Sequence, residues 1–161
     1  MRAIGVDPGL GRTGFGVVES LPRGGRACIW GEIKTDPNAS TPLRLRMIYT
    51  ELKKIFEEWR PGLLVIEDVF VLKQFPKAAI QLGEVRGVIC LAAEEIDIPV
   101  LQVKATEVKS ALTGSGRAEK AQMEKMIRRV LKIEGALGSS HASDALALAL
   151  TGLSRNGQFR W

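Results

Sequence analysis

The chain has 161 residues, 45% hydrophobic and 25% charged, with a net charge of +5. That length fits one domain with a substantial core, and that composition fits an ordinary soluble globular chain. No apolar run approaches the ~20 residues of a membrane span, and an acid and a proline interrupt the N-terminal apolar run where a signal peptide would continue. The expected address is therefore the cytoplasm, with no membrane partner. Cys28 and Cys90 lie far apart in apolar contexts, which is the pattern of structural thiols in a reducing compartment.

In chain order, residues 2–7 read as a buried strand and residues 8–12 as a Pro/Gly turn. Residues 13–20 and 27–34 read as two further strands joined by a hairpin around Arg23-Gly24-Gly25-Arg26, so three antiparallel strands open the domain. A helix follows, capped by Ser40 or Thr41 with Pro42 at its first position. Its expected buried stripe is Leu43, Met47, Ile48, Leu52, Ile55, Phe56 and Trp59. Arg60-Pro61-Gly62 ends it. Residues 63–67 are too apolar for one-sided burial and predict a central strand. After a loop at 68–75, residues 76–95 predict a helix rich in Ala, Leu and Val. Residues 98–102 are β-like, 106–112 a short helix, 118–133 a basic amphipathic helix and 141–153 a closing helix. Residues 1–153 are read as a single domain and 154–161 as a frayed tail. The fold class is α/β, with a five-stranded mixed sheet and helices on both faces.

Three acids stand against this apolar background. Asp7 ends the run Ala3-Ile4-Gly5-Val6, Glu67 ends Leu63-Leu64-Val65-Ile66, and Asp144 opens an almost wholly apolar helical stretch. A buried carboxylate normally pairs, neutralises or binds metal. Acids at strand ends and on a buried helix predict one pocket for a hard divalent cation, Mg²⁺ first. One of the adjacent acids Glu67 and Asp68 must face away in a strand, and Glu67 is preferred because it directly follows the apolar run. His141 and Asp144 are i and i+3, so one helix can aim both at one point. Taken singly, each residue has a plain structural reading as a turn, cap or solvated strand end; it is the set that points to metal chemistry.

The charge is localised. Between residues 104 and 132 there are eight bases (Lys104, Lys109, Arg117, Lys120, Lys125, Arg128, Arg129, Lys132) and three acids. This segment carries the whole net charge, and the rest of the chain balances. A basic segment joined to an acidic pocket fits a polyanionic substrate brought to metal ions, whereas the segment alone would fit a solvated helix face.

The chain resembles the RuvC-type Holliday-junction resolvases of the ribonuclease H-like superfamily, over essentially its whole length. The resemblance rests on Ile4-Gly5-Val6-Asp7-Pro8-Gly9 with Thr13-Gly14, on Ile66-Glu67-Asp68-Val69-Phe70, and on residues 81–87. Glu107-Val108-Lys109, Gly114-Ser115-Gly116 with Glu119-Lys120, and Asp144-Ala145-Leu146-Ala147 complete it. It implies a homodimer that nicks a four-way DNA junction at two symmetrically related strands, by metal-dependent phosphodiester hydrolysis in recombination and repair. Asp7, Glu67 and Asp144 would be the catalytic acids, with Mg²⁺ (or Mn²⁺), two ions per site. His141 stands where many relatives have a fourth acid, and a neutral imidazole can still ligate a divalent ion. Lys109 and Lys120 match lysines that matter for cleavage, and Phe70 matches an aromatic able to stack on an unpaired base. Arg117, Lys125, Arg128 and Arg129 could hold backbone phosphates. A branch-migration complex is the expected loading partner. Three other readings share some of these features: an actin-like ATPase or sugar kinase, whose first phosphate loop Asp7-Pro8-Gly9 with Thr13-Gly14 resembles but which needs a second lobe to enclose ATP; a related nuclease for another branched DNA or an RNA–DNA hybrid; and a junction-binding module without catalysis. Metal dependence separates the last from a nuclease.

Overall fold

The computed structural model describes residues 1–22, 24–68 and 76–157. The elements are β1 (Arg2–Asp7), β2 (Arg12–Ser20), β3 (Gly25–Lys34), α1 (Thr41–Trp59), β4 (Leu64–Glu67), α2 (Pro76–Glu94), β5 (Val100–Val103), α3 (Ala105–Thr113), α4 (Lys120–Leu131) and α5 (Ser140–Arg155). They form one sheet in the order β3-β2-β1-β4-β5. β1 to β3 pair antiparallel, while β1, β4 and β5 run parallel. The alternating hydrophobic pattern is therefore confined to the hairpin end, and β4, buried on both faces, reads as a continuous apolar run.

Each face of the sheet has its own core. On one, Ile4, Val6, Val17, Leu64 and Ile66 meet Ile48, Leu52 and Phe56 of α1 and Val85, Ile89, Ala92 and Ala93 of α2. On the other, Ala3, Val18, Val65 and Val103 meet α3, α4 and the Ala- and Leu-rich α5. The strand period of two assigns alternate residues to opposite faces. Residues 3, 5 and 7 thus share the α5 face, and so do 63, 65 and 67.

The α5 face is closely packed because its contact residues are small. A methyl group on Gly5 would strike the Ala145 carbonyl and lie 2.7 Å from the Ala149 nitrogen. One on Gly14 would strike the His141 carbonyl, and one on Gly152 would strike Val65. Gly5 pairs with Gly16, and Asp7 with Gly14. The glycines thus form a trough along β1 and β2 into which α5 settles.

Some expectations change in detail. In α1 the buried stripe is Ile48, Leu52 and Phe56, whereas Leu43 and Met47 are 46% and 45% exposed. The closing helix starts at Ser140 and continues through Arg155, whose guanidinium pairs with Glu107 at 3.2 Å. This ion pair ties the end of α5 to the first turn of α3. Phe70 and residues 158–161 lie outside the described residues.

Candidate active site

Asp7 is the last residue of β1, and the turn after it is fixed locally. The hydroxyl of fully buried Thr13 donates to the Gly9 carbonyl at 2.8 Å. Glycine is required at position 9 because a Cβ there would strike the Arg12 carbonyl. Glu67 ends the neighbouring parallel strand, whose Ile66 is the register partner of Val6. Both carboxylates point to the α5 face by strand parity, and Asp68 has the opposite parity.

α5 enters through a defined turn. Gly138 takes φ 89°, a left-handed conformation that favours glycine, and Ser139 then caps the helix by accepting from the Ala142 amide at 3.1 Å. The indole of Trp30 on β3 donates to the Leu137 carbonyl at 3.2 Å and holds this turn against the sheet. His141 consequently lies in the first helical turn, with its Nδ1 2.7 Å from Oδ2 of Asp7. Asp144 follows one turn later on the same side.

Lys109 of α3 and Lys120 of α4 line a cleft together with Glu67, Asp144, Val108, Met123, Ala147 and Leu148. The Lys120 ammonium is 3.8 Å from Asp144 Oδ2. That lysine is 81% exposed, so the pair contributes little to stability. Its place beside the acids matters more than its energy.

The electrostatics of the acids are only partly compensated. Burial raises the Glu67 carboxyl above its ordinary range, and the charges of Asp7 and Asp144 push it further, against Arg86 and Lys109. Burial also raises Asp144, with Asp7 adding to it, while Lys120, His141 and Lys109 oppose it. Three carboxylates that repel one another are a donor set short of positive charge. Hard oxygen donors with an imidazole beside them fit a divalent cation of the Mg²⁺ or Mn²⁺ type. Among the described residues, no three or more His, Cys, Asp or Glu side chains are grouped closely enough to hold a metal ion as they stand. Glu67 and Asp144 line an open-sided cleft, which leaves room for a substrate phosphate.

The other sequence-selected bases lie along α4 and the loop before it. Arg117, Lys125 and Arg129 are exposed, while Arg128 is half-buried. Lys125, Arg128 and Arg129 line a groove with Ala121 and Glu124, and these last two also border the depression that contains Lys120 and Asp144. The basic surface is thus continuous with the acidic cleft.

Sequence reasoning passed over two site neighbours. Glu32 stands opposite Gly14 in the β2–β3 register and accepts from Arg12 at 2.9 Å, with Lys34 at the same distance. Its carboxyl is held below the ordinary range, first by Lys34, with the Ser139 hydroxyl and Arg12 contributing. Arg86 of α2 reaches the backbone of Glu67 from the opposite face. Glu32 follows the apolar run Ala27-Cys28-Ile29-Trp30-Gly31 and so carried the same kind of signal as Asp7, whereas Arg86 lies within a helix and carries none.

Residues 3–152 match the family model described as crossover junction endodeoxyribonuclease RuvC. The chain belongs to this family. A relative named crossover junction endodeoxyribonuclease RuvC from Thermosipho melanesiensis is 38% identical over 149 residues, covering 92% of this chain and 94% of that protein. The RuvC relative from Brevibacillus brevis is 36% identical over 160 residues, covering 99% of this chain and 93% of its own length. Among solved structures, Thermus thermophilus RuvC in complex with a Holliday junction substrate superposes with a TM-score of 0.91 at 32% identity, covering 98% of this chain and 97% of that one. The five-stranded mixed sheet and the helices on its two faces are accordingly those of the ribonuclease H-like resolvases. RuvC enzymes are metal-dependent nucleases, in keeping with an acidic cleft short of positive charge.

Proposed function

We propose that this RuvC-family protein is a structure-specific endonuclease that resolves four-way DNA junctions by paired, symmetric nicks. The observation that carries the chemistry is the convergence of Asp7, Glu67 and Asp144 on one another, with Lys109 and Lys120 lining the same cleft as Glu67 and Asp144. The single nuclease domain is assigned to residues 1–153.

Asp7, Glu67 and Asp144 are assigned as oxygen donors to divalent cations, Mg²⁺ or Mn²⁺ and two per site, with His141 as the fourth ligand. When bound, such ions supply Lewis-acid activation of the phosphodiester and of water. The residues themselves perform the remaining tasks. The strand ends and α5 hold the acids rigidly, so the scissile phosphate meets a fixed donor set. Lys109 and Lys120 place cationic charge where negative charge develops on the phosphate. His141 shares its Nδ1 with Asp7 and thereby fixes both the ring and the carboxylate. Replacing the fourth acid by imidazole softens the donor set, so His141→Asp should change the Mn²⁺/Mg²⁺ activity ratio; an unchanged ratio would remove this assignment.

Arg117, Lys125, Arg128 and Arg129 are assigned to backbone phosphates, which position DNA without reading sequence. Phe70, in the segment after Glu67, is assigned to base stacking, worth about 1–3 kcal/mol. The homodimer is assigned to the outer face of α1 and α2, where Leu43, Met47, Ile80 and Leu91 are exposed. A branch-migration complex is the expected partner, and the cytoplasm, where chromosomal DNA of bacterial relatives resides, is the expected compartment. Among the described residues no helix is long and apolar enough to cross a membrane.

The test is cleavage of a mobile four-way junction beside linear duplex and an RNA–DNA hybrid, with Mg²⁺, Mn²⁺ or chelator. Paired nicks in the junction alone, lost in Asp7→Asn while binding persists, are the expected result. Junction binding without cutting under either metal would overturn the catalytic assignment.

A further inference from the structure

We propose that Arg86 is a positioning residue that fixes the Glu67 strand end from the face of the sheet opposite the acids. The inference rests on the assignment of Glu67 as a metal-binding acid.

The guanidinium makes two contacts in different strands. Nη1 donates to the backbone carbonyl of Glu67, and Nη2 donates to the Gln102 side-chain carbonyl at 3.2 Å. Glu67 is the last residue of β4, and Gln102 on β5 is the register partner of Ile66. The fork therefore clasps the ends of two adjacent parallel strands. The next amide, of Asp68, donates to the Val103 carbonyl at 2.7 Å and closes the same corner.

The anchor itself is rigid. Arg86 lies between Val85 and Ile89, which are fully buried against the sheet and seat α2 there. The planar five-donor head can satisfy two acceptors at a fixed angle, which a lysine ammonium on a flexible stem cannot reproduce. The Glu67 side chain leaves the strand toward α5, so Arg86 does not compete with the cleft for the carboxylate oxygens. It fixes where those oxygens start. Its charge also opposes the repulsion that Asp7 and Asp144 exert on Glu67. Partners of this outer kind are worth about 10- to 100-fold in metal affinity or activity at metal sites generally.

The experiment compares wild type, Arg86→Met, Arg86→Lys and Gln102→Met. Mn²⁺ binding is followed by electron paramagnetic resonance, junction binding in chelator, and cleavage against Mg²⁺ concentration. Arg86→Met should weaken Mn²⁺ binding about 10- to 100-fold and move the Mg²⁺ dependence upward, with junction affinity in chelator unchanged. Arg86→Lys should be impaired nearly as much, and Gln102→Met less. Wild-type Mn²⁺ affinity and Mg²⁺ dependence in Arg86→Met would overturn the proposal. So would full recovery in Arg86→Lys, because charge alone would then suffice. If Arg86→Met fails to fold, Gln102→Met decides: unchanged Mn²⁺ affinity there overturns the clasp. A wild-type protein that neither binds Mn²⁺ nor cuts with Mg²⁺ would instead overturn the metal assignment beneath it.

Discussion

The two faces of the sheet are packed by different means. Against α1 and α2 the core is made of large aliphatic and aromatic side chains, with Ile48, Leu52, Phe56 and Ile89 all fully buried. Against α5 leucines such as Leu146 and Leu150 are buried too, but glycine and alanine bring helix backbone nearly into contact with strand backbone at Gly5 and Gly14. The first arrangement tolerates adjustment, because side chains can change rotamer. The second does not, because backbone atoms have nowhere to move. The face that carries the acids is the one where the distance between helix and strands is set by backbone contact.

The comparison can be broken most severely at Gly5. Gly5→Ala puts a methyl group into the Ala145 and Ala149 backbone and must lift α5. A loss of about 1–3 kcal/mol is expected from overpacking. Junction cleavage should fall by about 100-fold, since a displacement near 1 Å has that effect on aligned groups. Near-normal cleavage would show that the trough is not what aligns the site. On the other face, Ile48→Val should cost only about 0.5–1.5 kcal/mol in denaturant unfolding. Its cleavage should match wild type at a temperature where both are folded.

The acids sharpen the contrast, because they work against the stability of their own face. Glu67 and Asp144 have raised carboxyl pKa values in the folded chain. Between the unfolded and folded values the native state binds more protons, so stability falls as pH rises through that window. Above the folded pKa the full cost is present. Asp144→Asn removes its share and should raise Tm in chelator by a few degrees at about pH 7.5, with little difference near pH 4. Equal differences at both pH values would show that burial and repulsion are not the cause. Added Mg²⁺ should raise the wild-type Tm more than that of Asp144→Asn, by mass action on the native state.

The smallest effect on the fold is expected outside α2. Leu91 is 55% exposed, and Leu91→Glu should change unfolding free energy by no more than about 0.5 kcal/mol. Sedimentation should nevertheless show a shift from dimer to monomer. A variant that remains dimeric would move the interface elsewhere.

Much of this was legible in the sequence for a simple reason. Apolar runs ending in acids, and turns marked by Pro and Gly, are local signals, and they located β1, β4, Asp7 and Glu67 directly. Strand parity said only that one of Glu67 and Asp68 faces the α5 side; that it is Glu67 followed from its place directly after the apolar run. The exposure of Leu43 and Met47 was not legible, since helical spacing says which residues share a stripe and not which part of that stripe the tertiary packing covers.

What the sequence by itself determined was the inventory: an α/β chain, three acids, a histidine one turn from Asp144, and a basic segment with Lys109 and Lys120. Only the tertiary structure decided how these meet. The His141–Asp7 hydrogen bond joins residues 134 positions apart, and Arg86 reaches Glu67 through the sheet from α2. Both depend on how closely α5 and α2 approach the strands. That approach is set by glycines and buried aliphatics whose partners lie far away in the chain, so no local pattern announces it.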